Sequence, residues 1–219
     1  SPTFEIGHVN FKKGSGLPIN IPSVELIEIG AGGGSIASVD TGMIKIGPES
    51  AGADPGPVCY GLGGTKPTIT DANIILGYIS PKLFNSGKIK LDIKRARLEL
   101  DNQIAKPLNL SLEKAAWGVH AIATKNMENA LRIVSVERGR DPRKYAMVAF
   151  GGAGPLHAAR LAREIGIPKV IIPYAAGLGS ALGLLEAEPK VDVSITQLIK
   201  ITGTVHSKIA SIFHELENR

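Results

Sequence analysis

From Leu112 to Val134 the apolar residues fall at three- and four-residue steps: Leu112, Ala116, Val119, Ala123, Met127, Ala130, Leu131 and Val134. That spacing puts them on one face of a helix. Ser111 opens it, Gly139 stops it after about Arg138, and Asp141-Pro142 turns the chain. Met127 belongs to core packing, and His120, beside the stripe, reads as a packed or half-exposed histidine. The rhythm then changes. Ala146 to Phe150 is apolar without alternation, as in a buried strand. Gly151-Gly152-Ala153-Gly154-Pro155 follows, and Leu156, Ala159, Leu161, Ala162 and Ile165 return to helical spacing before Gly166. Lys169 to Pro173 is a second buried strand, Gly177 to Gly179 a second tight turn, and Ser180 to Glu186 a further helix. The predicted order is strand, glycine turn, helix, strand, glycine turn, helix.

The first half of the chain is less periodic. Strand character on both sides of Gly14-Ser15-Gly16 predicts a hairpin, and Leu17 to Ile29 supplies one or two strands broken near Pro22. Gly30 to Gly34 holds four glycines in five positions, and a short helical turn is predicted over Ile36 to Val39. Gly47 to Pro67, with six glycines and four prolines, is a long loop. Thr70 to Asn73 offers capping chemistry to a helix carrying Ile74, Ile75 and Tyr78. Residues 81–106 are a loop and a helix. Its basic residues (Lys88, Lys90, Lys94, Arg95 and Arg97), interleaved with Leu91, Ile93, Leu98 and Ile104, form a solvated face. Val191 to Thr196 is a strand, and Val205 to Arg219 an amphipathic helix with Ile209, Ile212, Phe213 and Leu216 on one face. The chain divides into a strand-rich, glycine-loop part (1–80), a helical α/β part (81–190) and a terminal strand and helix (191–219).

Composition narrows the function classes. With 219 residues the chain can bury a real core. Its single cysteine forms no internal disulfide, which suits a reducing, cytoplasmic setting. No apolar run spans a membrane, and no signal peptide pattern opens the chain. The net charge of +5 comes without arginine-rich clusters among aromatics, and aromatics are only 5% of residues, so no nucleic-acid surface is expected.

The candidate chemistry sits in the glycine segments. Gly151, Gly152, Ala153, Gly154 and Pro155 open a helix, where free N–H groups and the helix dipole favour an anion; a purely structural strand-to-helix turn has the same pattern. Gly32, Gly33, Gly34 and Ser35 form either an anion-binding nest or a flexible loop. Glu49 and Asp54 could bind a metal, position a water or orient an amide, or be ordinary surface and turn residues. Asp71 is a cap, a first-turn acid or a catalytic acid. His157, in the first turn of its helix, could bond a phosphate or carbonyl oxygen, shuttle a proton, or pack against the glycine turn. Cys59 reads as a small buried thiol.

Three stretches together resemble the hydantoinase A/5-oxoprolinase family: IGAGGGSIASVD (29–40) with GPESAGADPGPVCYG (47–61) and PTITDAN (67–73); IVSVERGRDPRKYAMVAFGGAGPLH; and FGGAGPLHAARLAREIGIPKVIIPYAAGLGSALGLL. They cover most of residues 17–190 in the family's order and spacing. The resemblance implies an α/β fold: one lobe of an actin-like, sugar-kinase-type (ribonuclease H-like) ATPase, a mixed sheet with helices and an inserted glycine-rich loop. It implies ATP-dependent ring opening of cyclic amides of the hydantoin or 5-oxoproline type through a phosphorylated intermediate, with ATP and Mg²⁺. It places nucleotide at Gly151–Pro155, and Glu49, Ser50 and Asp54 on the active-site face. The family's Asp-x-Gly-Gly-Thr segments do not occur in this sequence. The chain therefore reads as a C-terminal piece, inactive alone, that needs an N-terminal lobe, a hydantoinase B-type second subunit and homo-oligomerisation. A ketone carboxylase subunit and a non-catalytic scaffold are the alternatives.

Overall fold

The computed structural model describes residues 5–6, 18–19, 27–84, 89–188, 193, 195–196, 198 and 205–217. These fall into two compact units, Ile27–Leu185 and the two chain ends, Ser1–Leu26 with Glu186–Arg219. In the end unit, β1 (Glu5–Ile6) and β2 (Pro18–Ile19) pair antiparallel, the hairpin expected around Gly14–Gly16. The turn itself, Val191, Asp192, Ser194 and Lys88 lie outside the described residues, and Val193, Ile195 and Thr196 are not in a strand.

The larger unit begins with a hairpin where a helical turn was expected. Ser35–Asp40 (β3) pairs antiparallel with Met43–Ser50 (β4) through Thr41-Gly42, whose φ angles are 48° and 76°. Two successive positive φ values match the right-handed twist of paired strands. Alternation decides the outcome: Ser35 and Ala37 are buried, Ser38 and Asp40 are not, a period of two that a helix would scramble. Glu49 and Ser50, read as loop residues, are the last two residues of β4.

Helix α1 (Ile69–Ile75) starts two residues earlier than the sequence suggested, with Thr68 as its N-cap. Helix α2 (Ile93–Leu100) continues into one π-helical turn, Asp101–Ala105. Helix α3 (Leu112–Val134) is capped by Ser111, whose hydroxyl accepts from the Lys114 N–H at 3.3 Å, and ends through a 3₁₀ turn before Gly139. The core lies between the hairpin, α1, α2 and α3: Ala37, Ile46, Ile69, Leu100, Ile104 and Val119 are buried there. The small residues Ala115, Ala116 and Ala123 on α3 let these elements approach closely.

Beyond α3 the predicted order holds. Ala146–Val148 (β5), Gly154–Ile165 (α4) and Lys169–Ile171 (β6) form a βαβ unit whose two strands pair parallel. Helix α5 is Gly179–Glu186, and α6, in the end unit, is Val205–Glu217. Ala158, Leu161 and Ala162 bury α4. The strands are not buried as expected. Val148, Phe150, Ile171 and Ile172 are exposed, and the two strands pair with each other over three residues only. The described strands form three two-stranded sheets rather than one mixed sheet.

Candidate functional site

Two parallel strands carry their glycine turns to the same end. Gly151 follows β5, and its N–H donates to the carbonyl of Ala176, in the turn after β6, at 2.7 Å. The carboxyl ends of parallel strands are where α/β folds place ligands, since the outgoing loops leave a crevice there. Gly151 has φ 87°, which aims the chain into α4. Ala153, the N-cap of α4, offers no side-chain cap, and the first turn carries no acid. A Cβ built on Gly152 or Gly154 would meet nothing within 4 Å. The result is an open, uncapped helix N-terminus lined by backbone, which fits an anionic group such as a phosphate.

The other glycine loop lies beside it. A Cβ on Gly33 would stand 3.8 Å from the Cβ of Ala153 and 2.8 Å from Thr70 Oγ1. The Thr70 hydroxyl and N–H both donate to the Gly33 carbonyl, each at 2.9 Å. A Cβ on Gly34 would stand 2.9 Å from Ser50 Oγ, and the Ala51 N–H donates to the Gly34 carbonyl at 2.8 Å. Ser35 closes the loop on itself: its hydroxyl accepts from the Gly32 N–H at 2.9 Å and donates to the Gly30 carbonyl at 3.2 Å. Gly33, Gly34, Ser50 and Ala153 thus converge. Thr70, read from the sequence only as capping chemistry, lies in the first turn of α1 and holds the Gly33 loop there.

The acidic candidates do not converge with them. Glu49 forms an exposed ion pair with Lys66 at 3.1 Å, and Asp54 stands exposed in the turn beyond β4. Asp71 is fully buried, and both carboxylate oxygens are engaged. They accept from the N–H groups of Val58 (3.2 Å), Cys59 (2.8 Å) and Thr68 (2.8 Å) and from the Thr68 hydroxyl (2.8 Å). Asp71 is the third residue of a capping box and pins the loop before α1. Cys59 is buried, as expected, and burial followed by the Asp71 charge pushes its thiol well above the ordinary range. Among the described residues, no group of three or more His, Cys, Asp or Glu could hold a metal ion.

His157 lies behind the turn rather than in it. It is fully buried, and its ring stacks on His120. Thr124 Oγ1 donates its one proton to the His120 carbonyl at 2.8 Å, so His157 Nδ1, 2.9 Å away, must be the donor to Oγ1. Nε2 is then a bare acceptor, buried and without a partner among the described residues. Burial, and then His120, push the His157 pKa down to about 4, so the ring is neutral near pH 7. His120, read as packed or half-exposed, is packed: it is buried too, and its Nδ1 lies 2.8 Å from Asn73 Oδ1.

Two cavities flank β4. One, about 280 Å³, is lined by Lys45, Glu49, Lys66 and Gln103 among others. The other, about 390 Å³, lies between the Gly30 loop and α3, where Asn126 and Asn129 face it. The sequence did carry a signal for the second: two carboxamides three apart on the polar side of α3 share a face.

The sequence model of the hydantoinase/oxoprolinase family matches residues 3–193. The chain is 49% identical over 205 residues to an uncharacterised protein of Methanocaldococcus jannaschii, covering 93% of this chain and 30% of that protein. It is 44% identical over 190 residues to the alpha subunit of a caprolactamase of Pseudomonas jessenii, covering 85% of this chain and 27% of that subunit. It superposes on the nucleotide-free structure of an acetone carboxylase with a TM-score of 0.74 at 32% identity, covering 92% of this chain and 30% of that one. The chain therefore spans less than a third of the length of each of these relatives.

Proposed function

The chain belongs to the hydantoinase/oxoprolinase family, and on that premise we propose that it is the nucleotide-contacting part of an ATP-dependent enzyme that opens cyclic amides. The observation that carries this reading is the pairing of two glycine segments, Gly32–Gly34 and Gly151–Gly154, at an uncapped helix N-terminus. Related proteins described as an ATP-dependent caprolactamase and as an acetone carboxylase support the ATP dependence. In this reading the fold is one lobe of an actin-like ATPase, completed by an N-terminal lobe of the same protein. A hydantoinase B-type subunit and self-association complete the assembly.

ATP, when bound, would supply the phosphoryl group that activates an amide carbonyl carbon toward attack by water, with the ring nitrogen as the group that departs. The chain's own contribution is positional. The backbone N–H groups of Gly152, Ala153 and Gly154 would hold the phosphates, and the two glycines put no side chain in the way. Thr70 holds Gly33 in place, and the neutral His157 fixes the first turn of α4 to α3 without touching substrate. Among the described residues no cluster of three or more metal-ligating side chains forms, so Mg²⁺ accompanying ATP would rest on the phosphates and on groups outside this set.

The test is cyclic-amide-dependent ATP hydrolysis by the complete enzyme and its Gly152→Asp variant. An aspartate at the helix N-terminus repels phosphate, so the variant should lose most activity and bind Mg-ADP weakly in a calorimetric titration. Wild-type KM for ATP and wild-type turnover in that variant would overturn the assignment of the turn.

A further inference from the structure

We propose that the cavity between the Gly30 loop and α3 is the substrate-recognition pocket, and that Asn126 and Asn129 select an uncharged cyclic amide by pairing with its N–H and C=O edge. This deepens the reading above and rests on it.

The cavity is an open surface groove of about 390 Å³, enough to seat a single small ring. Its walls are apolar (Ile29, Ile46, Pro48) or backbone (Gly30, Ala31), and its polar side chains are the two carboxamides. Neither carboxamide makes a hydrogen bond among the described residues. Asn126 and Asn129 are three apart on α3, which brings both to one face. The loop that walls the opposite side is the one that approaches the helix N-terminus at Ala153.

The chemistry follows from shape and charge. A ring amide is held cis, so its N–H and C=O point the same way. A primary carboxamide presents a C=O and an N–H in the complementary order, and the two close a pair of hydrogen bonds. A ketone has no N–H to offer. An acid-bearing ring such as 5-oxoproline would bring a carboxylate, and no lining residue is cationic. The nearest cations along α3, Lys125 and Arg132, are already paired with the buried Glu128 carboxylate at 2.9 Å and 2.8 Å. Those two contacts also hold that carboxyl below its usual range. The pocket therefore matches a neutral lactam or hydantoin.

The experiment measures ATP hydrolysis by the complete enzyme with caprolactam, hydantoin, 5-oxoproline and acetone as separate probes. Neutral cyclic amides should stimulate hydrolysis, and Asn129→Leu and Asn126→Asp should each raise KM for the amide by about tenfold, the loss of one or two hydrogen bonds. KM for ATP should stay within about twofold, because neither residue faces the phosphates. Both positions are exposed, so both variants should fold, which a thermal melt checks. Stimulation by 5-oxoproline or acetone in place of neutral amides overturns the selection but leaves the ATPase reading standing. Unchanged amide KM in both variants removes the two residues from recognition. No stimulation of the wild-type enzyme by any probe sinks the ATPase reading, and this inference falls with it.

Discussion

The imidazole of His157 stacks on that of His120, with centroids 4.4 Å apart and planes 11° from parallel. Two imidazoles at that distance cannot both carry a charge in a buried site. His157 is pushed down to about 4 from an ordinary 6.5, first by burial and then by His120; His120 is lowered by burial and by Arg160. A base whose folded-state pKa is depressed binds fewer protons folded than unfolded. Its contribution is fully present above pH 6.5 and is lost as the pH falls toward 4. The loss for His157 is on the order of 3 kcal/mol. Urea unfolding at about pH 8 and about pH 5 should show about 2 kcal/mol of it, and His157→Gln should be less stable at the higher pH but flatter between the two. Equal acid losses in both proteins would refute the assignment.

Asp71 is a structural acid. Its oxygens accept from three backbone N–H groups and a hydroxyl, all buried. Asp71→Ala leaves those donors without acceptors and should cost about 3–5 kcal/mol, or a drop in Tm of about 10 °C. A catalytic acid without this role would lose activity with Tm unchanged.

The contrast between these residues shows what the sequence could carry. Helix α3 was legible from Ser111 to Val134 because its apolar period runs unbroken over many turns, and the β5-α4-β6 unit because glycines punctuate it. The hairpin at Ser35–Ser50 was not. Four glycines before it suggested a turn entering a helix, and the pattern that decides it (Ala37 inward, Ser38 outward) is too short to outweigh that signal. Within the site, the glycine segments could be read but their meeting could not. The contact between Gly33 and Ala153 joins residues far apart in sequence. His157 looked available because it follows a glycine turn, and only packing against α3 shows that it faces inward.

Cys59 gives a reporter of that packing. It is the sole cysteine, fully buried, and its N–H is held by Asp71 at 2.8 Å. With its thiol raised well above the ordinary range, almost no thiolate exists near neutral pH. Labelling by an aromatic disulfide reagent should wait for local or global opening, and Asp71→Asn should accelerate it. Rapid stoichiometric labelling of the native protein would contradict this burial.

The Gly33–Thr70 contact can be tested by coupling. A methyl group on residue 33 would come within 2.8 Å of Thr70 Oγ1, while Ala153 at 3.8 Å would tolerate it. Gly33→Ala must therefore push the Thr70 hydroxyl off the Gly33 carbonyl, at a cost of about 1–2 kcal/mol. Thr70→Ala alone loses the same hydrogen bond, about 1 kcal/mol. The double variant has no hydroxyl to displace, so it should be destabilised by clearly less than the sum, a coupling that urea unfolding of the four proteins measures. Additive losses would mean that the loop relaxes away from α1, and that Thr70 does not set its position beside the α4 N-terminus.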